Sequence, residues 1–234
     1  HREALTVTGR TIGEEVDAYR SPYLPNDELI RPLDRPHSTL GGLAILRGNL
    51  APDTGVSKPA AIHPDVRRFT GKAICFDSED ACVEAIEARR VHPGHVVVIR
   101  YEGPRGGPGM KELYKPMKTL YGQGLARSTA VITDGRFSGT NNGCFVGHIS
   151  PEAAAGGPLA LVEDGDEITI DVEQKTLELH VSEEEMARRR AAWRYQPPRL
   201  IGYLARYAAM VSSADRGGIL IPGETGGMEH ETAE

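Results

Sequence analysis

Apolar and polar positions fall into short alternating blocks from about residue 73 onward. Residues 73–76 (AICF) are an apolar block that predicts a buried strand. Ser78 follows as an N-cap, and Ala81, Cys82, Ala85 and Ile86 share one helical face, predicting a helix to about residue 90. Residues 95–101 (HVVVIRY) are rich in β-branched side chains and predict a central strand. A glycine-rich loop occupies 102–109, and 110–121 predicts a helix that Pro116 breaks or bends. Residues 129–133 (TAVIT) predict another strand, running into a second glycine-rich loop at 134–143. A short helix is expected from Ser150, with Pro151 at its first position. Further strands are predicted at 159–162, 168–172 and 177–181, with turns at Asp164-Gly165 and 173–175. Ser182 with Glu185 predicts a capping box opening a helix to about Trp193, and a last helix covers 200–211.

The first 40 residues read differently. Pro22, Pro25, Pro32 and Pro36 break them, and only 12–19 predicts a short helix, with Thr11 and Glu14 as its capping box. They read as an arm, followed by an apolar strand at 43–46 and a loop at 48–53. The whole is α/β, with an antiparallel component towards the C-terminal end. A purely doubly wound sheet would need more helices between the late strands. Expected boundaries are an interdomain arm at 1–38, a domain at 39–212 and a flexible tail at 213–234.

Composition narrows the function classes. The chain has 234 residues, 39% hydrophobic and 26% charged, enough to fill a core. Its 27 glycines and 16 prolines exceed the usual share of roughly 12%, which suggests tight turns and close backbone approach to a ligand. A net charge of −6 and a pI of 5.8 speak against a general nucleic-acid binder. The basic run Arg188-Arg189-Arg190 follows an acidic run, which is how a solvated helix places its charges. No stretch is apolar enough to predict a membrane span, and the N-terminus carries no apolar leader. Cys75, Cys82 and Cys144 are odd in number and widely spaced, which fits neither a disulfide framework nor a CxxC metal site. A reducing cytoplasm is therefore expected.

Two loops carry candidate chemistry, and each leaves the end of a strand, where α/β sheets place ligands. In the first, Glu102 offers a carboxylate suited to a hard cation such as Mg²⁺. On spacing alone the plainer reading is a turn in which Glu102 pairs with Arg100 or Arg105. The loop lacks the Walker pattern. In the second, Ser138 sits in an F-S-G turn without the first glycine of a nucleophile elbow. With no base beside it in sequence, the plainer reading is a serine bonding its own turn. His148 reads as a structural histidine or an acid/base, Cys144 as a packed hydrophobe, and Asp134 as a cap, a turn former or a ligand.

Several longer motifs occur in order: GLAILRGNLAP at 42–52, VIRYEGP at 98–104, GGPGM at 106–110 and ITDGRFSG at 132–139. GHISPEA at 147–153 and VEDGD at 162–166 continue the series. Together they resemble the C-terminal region of the dihydroxy-acid dehydratase / 6-phosphogluconate dehydratase family, from about residue 30 to about 194. Residues 5–9 (LTVTG) resemble the end of the preceding domain.

This resemblance implies a swivelling β/β/α domain with a barrel-like mixed β core and flanking helices. It implies removal of water from a 2,3-dihydroxy acid to give a 2-keto acid, with an iron–sulfur cluster and Mg²⁺ as cofactors. Ser138 is then the base that takes the C2 proton and Glu102 a Mg²⁺ ligand. Backbone amides at Gly139 and Thr140 then hold the substrate carboxylate. The cluster cysteines would lie in an N-terminal domain of the same enzyme, outside this chain, so the isolated chain is expected to be inactive. Family members are homo-oligomers. The GRFSG motif resembles the branched-chain amino-acid enzymes, whereas Asn141-Asn142 departs from them and would suit a sugar acid. The alternative to an enzyme is a stand-alone module binding an anion or Mg²⁺, or an assembly domain.

Overall fold

The computed structural model describes residues 1–19, 26–38, 41–138 and 142–221. These fall into two units, His1–Leu40 and Gly41–Glu234. In the first, helix α1 (Ile12–Ala18) starts at Thr11, whose hydroxyl accepts the Glu14 N–H while the Glu14 carboxylate accepts the Thr11 N–H. The expected capping box is therefore present in both directions.

The second unit is a closed barrel of eight strands: β1 (Ala44–Gly48), β2 (Ala51–Ser57), β3 (Arg68–Phe76), β4 (His95–Ile99), β5 (Ala130–Thr133), β6 (Cys144–Ser150), β7 (Glu167–Asp171) and β8 (Thr176–Leu179). Their order around the barrel is β1-β2-β6-β5-β4-β3-β7-β8. Strands β3 to β6 run parallel to their neighbours in this set, while β1–β2, β2–β6, β3–β7 and β7–β8 are antiparallel. This is the mixed, barrel-like α/β core that the motifs implied. Val96, Val97, Val98 and Ile99 of β4 are buried without exception, as are all four residues of β5. Such continuous apolar runs are what parallel strands covered on both faces require.

Helix α2 (Glu79–Glu87) begins at Ser78, whose hydroxyl accepts the Ala81 N–H, and buries Cys82, Ala85 and Ile86. Helix α3 (Tyr114–Gly122) starts later than its sequence suggested, and Pro116 falls in its first turn without breaking it. In the first turn a backbone N–H has no intrahelical partner, so proline costs nothing there. The Gln123 amide ties α3 to α2 by donating to the Ile86 carbonyl at 2.7 Å. Helix α4 (Glu183–Ala192) is capped by Ser182 as expected, and α5 (Gly202–Met210) follows.

Other expectations are corrected. The loop at 48–53 is instead the turn into β2, whose Pro52 falls in an irregular stretch outside the paired positions. Strand β6 directly follows the second loop, where the sequence pattern predicts no strand. The strand at 159–162 is a 3₁₀ turn, Pro158–Leu161. Its carbonyls find guanidinium donors rather than a strand partner: Arg100 reaches Ala160 and Val162, and Arg189 reaches Leu161. The helix expected from Ser150 shrinks to a 3₁₀ turn at Ala153–Ala155. Within the expected tail, three of the described residues bond back to the barrel and to Val211. Ser150 Oγ bonds Ser213 Oγ at 2.5 Å and donates to Asp215 at 2.8 Å, and Val211 bridges to Leu220.

Candidate functional site

Strands β4 and β5 pair in parallel through Val98–Ile132 and Ile99–Thr133, so the loops leaving them open on one edge. Asp134 is the first residue beyond β5 and has no exposed surface. One of its carboxylate oxygens accepts the Glu102 N–H at 3.0 Å. The other accepts the Tyr101 N–H at 3.2 Å and the Ala153 N–H at 2.9 Å. One side chain thus joins the ends of β4 and β5 to the turn after β6. Burial pushes its pKa up to about 7, against the three N–H donors that favour the charged form; nearby Glu152 adds to the rise.

Glu152 does the same for the far side of the first loop. Its carboxylate accepts the N–H groups of Arg105 and Gly106 at 3.0 Å, and burial raises its pKa while those donors lower it. The segment 101–106 therefore hangs on two buried carboxylates. Gly135 completes the junction. A Cβ there would stand 3.0 Å from the Glu102 Cβ and 3.1 Å from its carbonyl oxygen, so only glycine lets the two loops meet this closely.

Glu102 itself is buried, and its Oε1 accepts the Glu79 N–H at 2.7 Å at the start of α2. Burial raises its pKa, with Glu79 and Asp80 adding to the rise; the Glu79 N–H and Lys111 oppose it. The expected turn pairing is replaced. Arg100 lies 2.6 Å from Asp77, and Arg105 presents its backbone N–H to Glu152. Glu102 lines a cavity of about 560 Å³ with Ser78, Tyr101, Gly107 and Tyr195. One wall is an aromatic stack: Tyr195 lies 5.0 Å from Tyr101, and Trp193 Nε1 donates to the Tyr101 hydroxyl at 3.3 Å.

This donor set fits one position of a Mg²⁺ shell. A Cβ on Gly107 would come 3.0 Å from Glu102 Oε2, so glycine leaves that hard oxygen its space. Among the described residues no group of three or more His, Cys, Asp or Glu is placed to hold a metal, so Glu102 would supply one ligand at most to a shell completed from elsewhere. The cysteines do not fit a cluster. They stand apart on β3, α2 and β6, and burial raises all three thiols, Cys75 and Cys144 to about 12. A cluster ligand must be a thiolate.

Ser138 is exposed, and its carbonyl accepts from Lys58 Nζ at 2.9 Å. Gly139 and Thr140 lie outside the described residues. Arg136 reaches across to the carbonyls of Met110 and Gly109, which braces the second loop against the end of the first. His148 on β6 has left-handed backbone, φ +52°, and gives its N–H to the Gly135 carbonyl at 2.8 Å. The structure thus joins the Glu102 loop to the Asp134–Arg136 stretch that leads into Ser138. Asp134 proves to be the knot between loops. Glu152 and Lys58 drew no attention in sequence. Glu152 lies within GHISPEA, the one available signal, and Lys58 lies in no motif quoted above.

A closed mixed barrel whose neighbouring strand ends carry two glycine-rich loops over buried carboxylates defines an α/β domain with an oxygen-rich loop-edge site. Residues 28–218 match the family model described as dihydroxy-acid/6-phosphogluconate dehydratase, C-terminal. The chain belongs to this dehydratase family and carries its C-terminal domain. No helix among the described residues is long and apolar enough to cross a membrane.

Proposed function

We propose that this chain serves a hydro-lyase that converts a 2,3-dihydroxy acid to a 2-keto acid, with the dihydroxy acid of branched-chain amino-acid biosynthesis as substrate. The observation that carries this reading is the Asp134 junction, which binds the Glu102 backbone four positions before Ser138. The two motif loops therefore act as one unit. Ser138, as an alkoxide, removes the C2 proton; the C2–H electrons form the C2–C3 double bond, and the C3 hydroxyl leaves. The departing hydroxide and the C2 proton taken by Ser138 make up the water lost. The resulting enol gains a proton at C3 and loses its hydroxyl proton to give the keto acid. Bound Mg²⁺ supplies charge neutralisation to the substrate oxygens, with Glu102 holding it from this chain. Gly139 and Thr140 amides receive the carboxylate. A cluster, where the reaction uses one, is held by thiolates other than these three cysteines.

Partners in this reading are an N-terminal domain of the same enzyme and further copies of the chain. Helix α5 supports this, since it has no buried residue and exposes Tyr203 and Leu204 beside Ile201. The three free thiols suit a reducing cytoplasm. A sugar acid is the alternative substrate. Asn142 lends it no support, since it lines a different cavity with Tyr121 and Arg127.

In the metal-loaded holoenzyme, Ser138→Ala is expected to lower kcat on 2,3-dihydroxyisovalerate by about 10²–10⁴-fold while KM changes little. An unchanged kcat removes Ser138 from the chemistry.

A further inference from the structure

The chain is acidic overall, yet one small cavity beside the Ser138 loop has the opposite character. It holds about 260 Å³ and is lined by Lys58, Arg136 and His148 together with Leu43, Val56, Phe137, Phe145 and Gly147. None of these is a carboxylate. Among the described residues, Lys58 and Arg136 hydrogen-bond to carbonyl oxygens. Lys58 donates to Ser138, and Arg136 to Met110 and Gly109. Arg189 and Arg127 differ in lying against acids, 2.6 Å from Asp166 and 3.0 Å from Asp65.

Two like charges share this cavity with an imidazole, and their repulsion is unrelieved by any lining acid. The imidazole feels it. His148 is held below its ordinary pKa first by burial, then by Arg136 and Lys58. Its left-handed backbone is uncommon for a residue with a side chain, and such geometry persists where the surroundings enforce it. Here the Gly135 carbonyl enforces it by accepting the His148 N–H. The apolar wall, with Phe137 set edge-on to Phe145 at 5.9 Å, lowers the local polarity and strengthens the cations' pull on an incoming charge.

We infer that Lys58, Arg136 and His148 form an anion subsite that adds side-chain cations to the backbone amides already assigned to the substrate carboxylate, or takes the phosphate of a phosphorylated substrate. Its assignment to a substrate rests on the dehydratase reading; its preference for an anion rests on the cavity alone. A charged oxygen group there gains charge-assisted hydrogen bonds from a lysine and a guanidinium. The group would sit directly beside the Ser138 loop.

The test follows the His148 ring by NMR in the 234-residue chain, during titration with inorganic phosphate or sodium acetate. Sodium chloride at matched ionic strength is the control. A saturable shift with phosphate or acetate that chloride does not reproduce is expected. Lys58→Met should weaken it about tenfold, and Lys58→Arg should restore it. Arg136→Met gives a second reading should Lys58→Met fail to fold. Tighter phosphate binding assigns the subsite to a phosphorylated end, and tighter acetate binding to a carboxylate end. No saturation, a response equal to chloride, or an unaltered response in both Met variants overturns the subsite. In the holoenzyme, Arg136→Met should raise KM about tenfold. Anion binding without any dehydration would retain the subsite and discard the proposed activity. Dehydration with unaltered KM and no anion shift would do the reverse.

Discussion

A carboxylate with no exposed surface must replace its lost hydration, and Asp134 does so with three backbone N–H groups from three chain segments. Such an arrangement needs acceptor character on both oxygens at once. Asp134→Asn keeps the shape but turns one oxygen into a donor, leaving at least one buried N–H facing an N–H. That variant is expected to lose about 1–3 kcal/mol of stability, seen as a lower urea midpoint with an unchanged slope. A midpoint equal to wild type would mean that the junction holds without the carboxylate. The motif ITDGRFSG marked this stretch in sequence, but not this role. A capping, turning or ligating aspartate has the same sequence neighbours, and only the fold reveals that Tyr101, Glu102 and Ala153 converge on it. Glu102 was legible as a strand-end carboxylate. Its real partner, the Glu79 N–H, lies 23 positions away and left no sequence trace.

Elements were legible where one local signal dominated. Ser78, Thr11 and Ser182 each head a helix as their spacing indicated, and the β-branched runs at 95–99 and 130–133 are strands. The misreadings share a cause, namely backbone partners far away in sequence. The apolar stretch at 159–162 lacks a neighbouring strand because Arg100 and Arg189 occupy its carbonyls. Strand β6 escaped notice because Gly147 interrupts its pattern, although β5 and β2 flank it on both sides. Helix α4 supports a prediction of its own. It has no buried residue, and Glu185 binds Arg188 and Arg189 at 2.6 and 2.8 Å, which lowers the Glu185 pKa from 4.5 to about 2. A lowered folded pKa means that this contribution is present above pH 4.5 and is lost as pH falls towards 2. Glu185→Gln is therefore expected to flatten the acid limb of a stability–pH curve, and added salt to shrink the difference. Parallel curves for the two proteins between pH 5 and pH 2 would count against these pairs.

At the scale of the whole molecule, the site depends on the barrel being closed, because the loops converge only if the strand ends are held in register. The shortest ladder is that of β1 against β8, a parallel seam with a single bridge, Arg47–Thr176. So short a ladder needs reinforcement, and the GNLAP motif supplies it. The Asn49 side chain copies a backbone pair, accepting the Leu179 N–H at 2.7 Å and donating to the Leu179 carbonyl at 2.8 Å. Gly48 next to it lets the chains touch, since a Cβ there would fall 2.1 Å from the Leu177 carbonyl oxygen. This motif carried part of the family resemblance, and its work is closure rather than catalysis. Asn49→Ala leaves two backbone groups of Leu179 without these partners, and a loss of about 1–3 kcal/mol is expected. The more telling readout is local. Amide hydrogen exchange should quicken along β1 and β8 while β4 and β5 keep their protection, because opening the seam leaves the central parallel strands paired. If exchange instead rises uniformly across the barrel, the seam is not an independent opening unit, and closure and core unfold together.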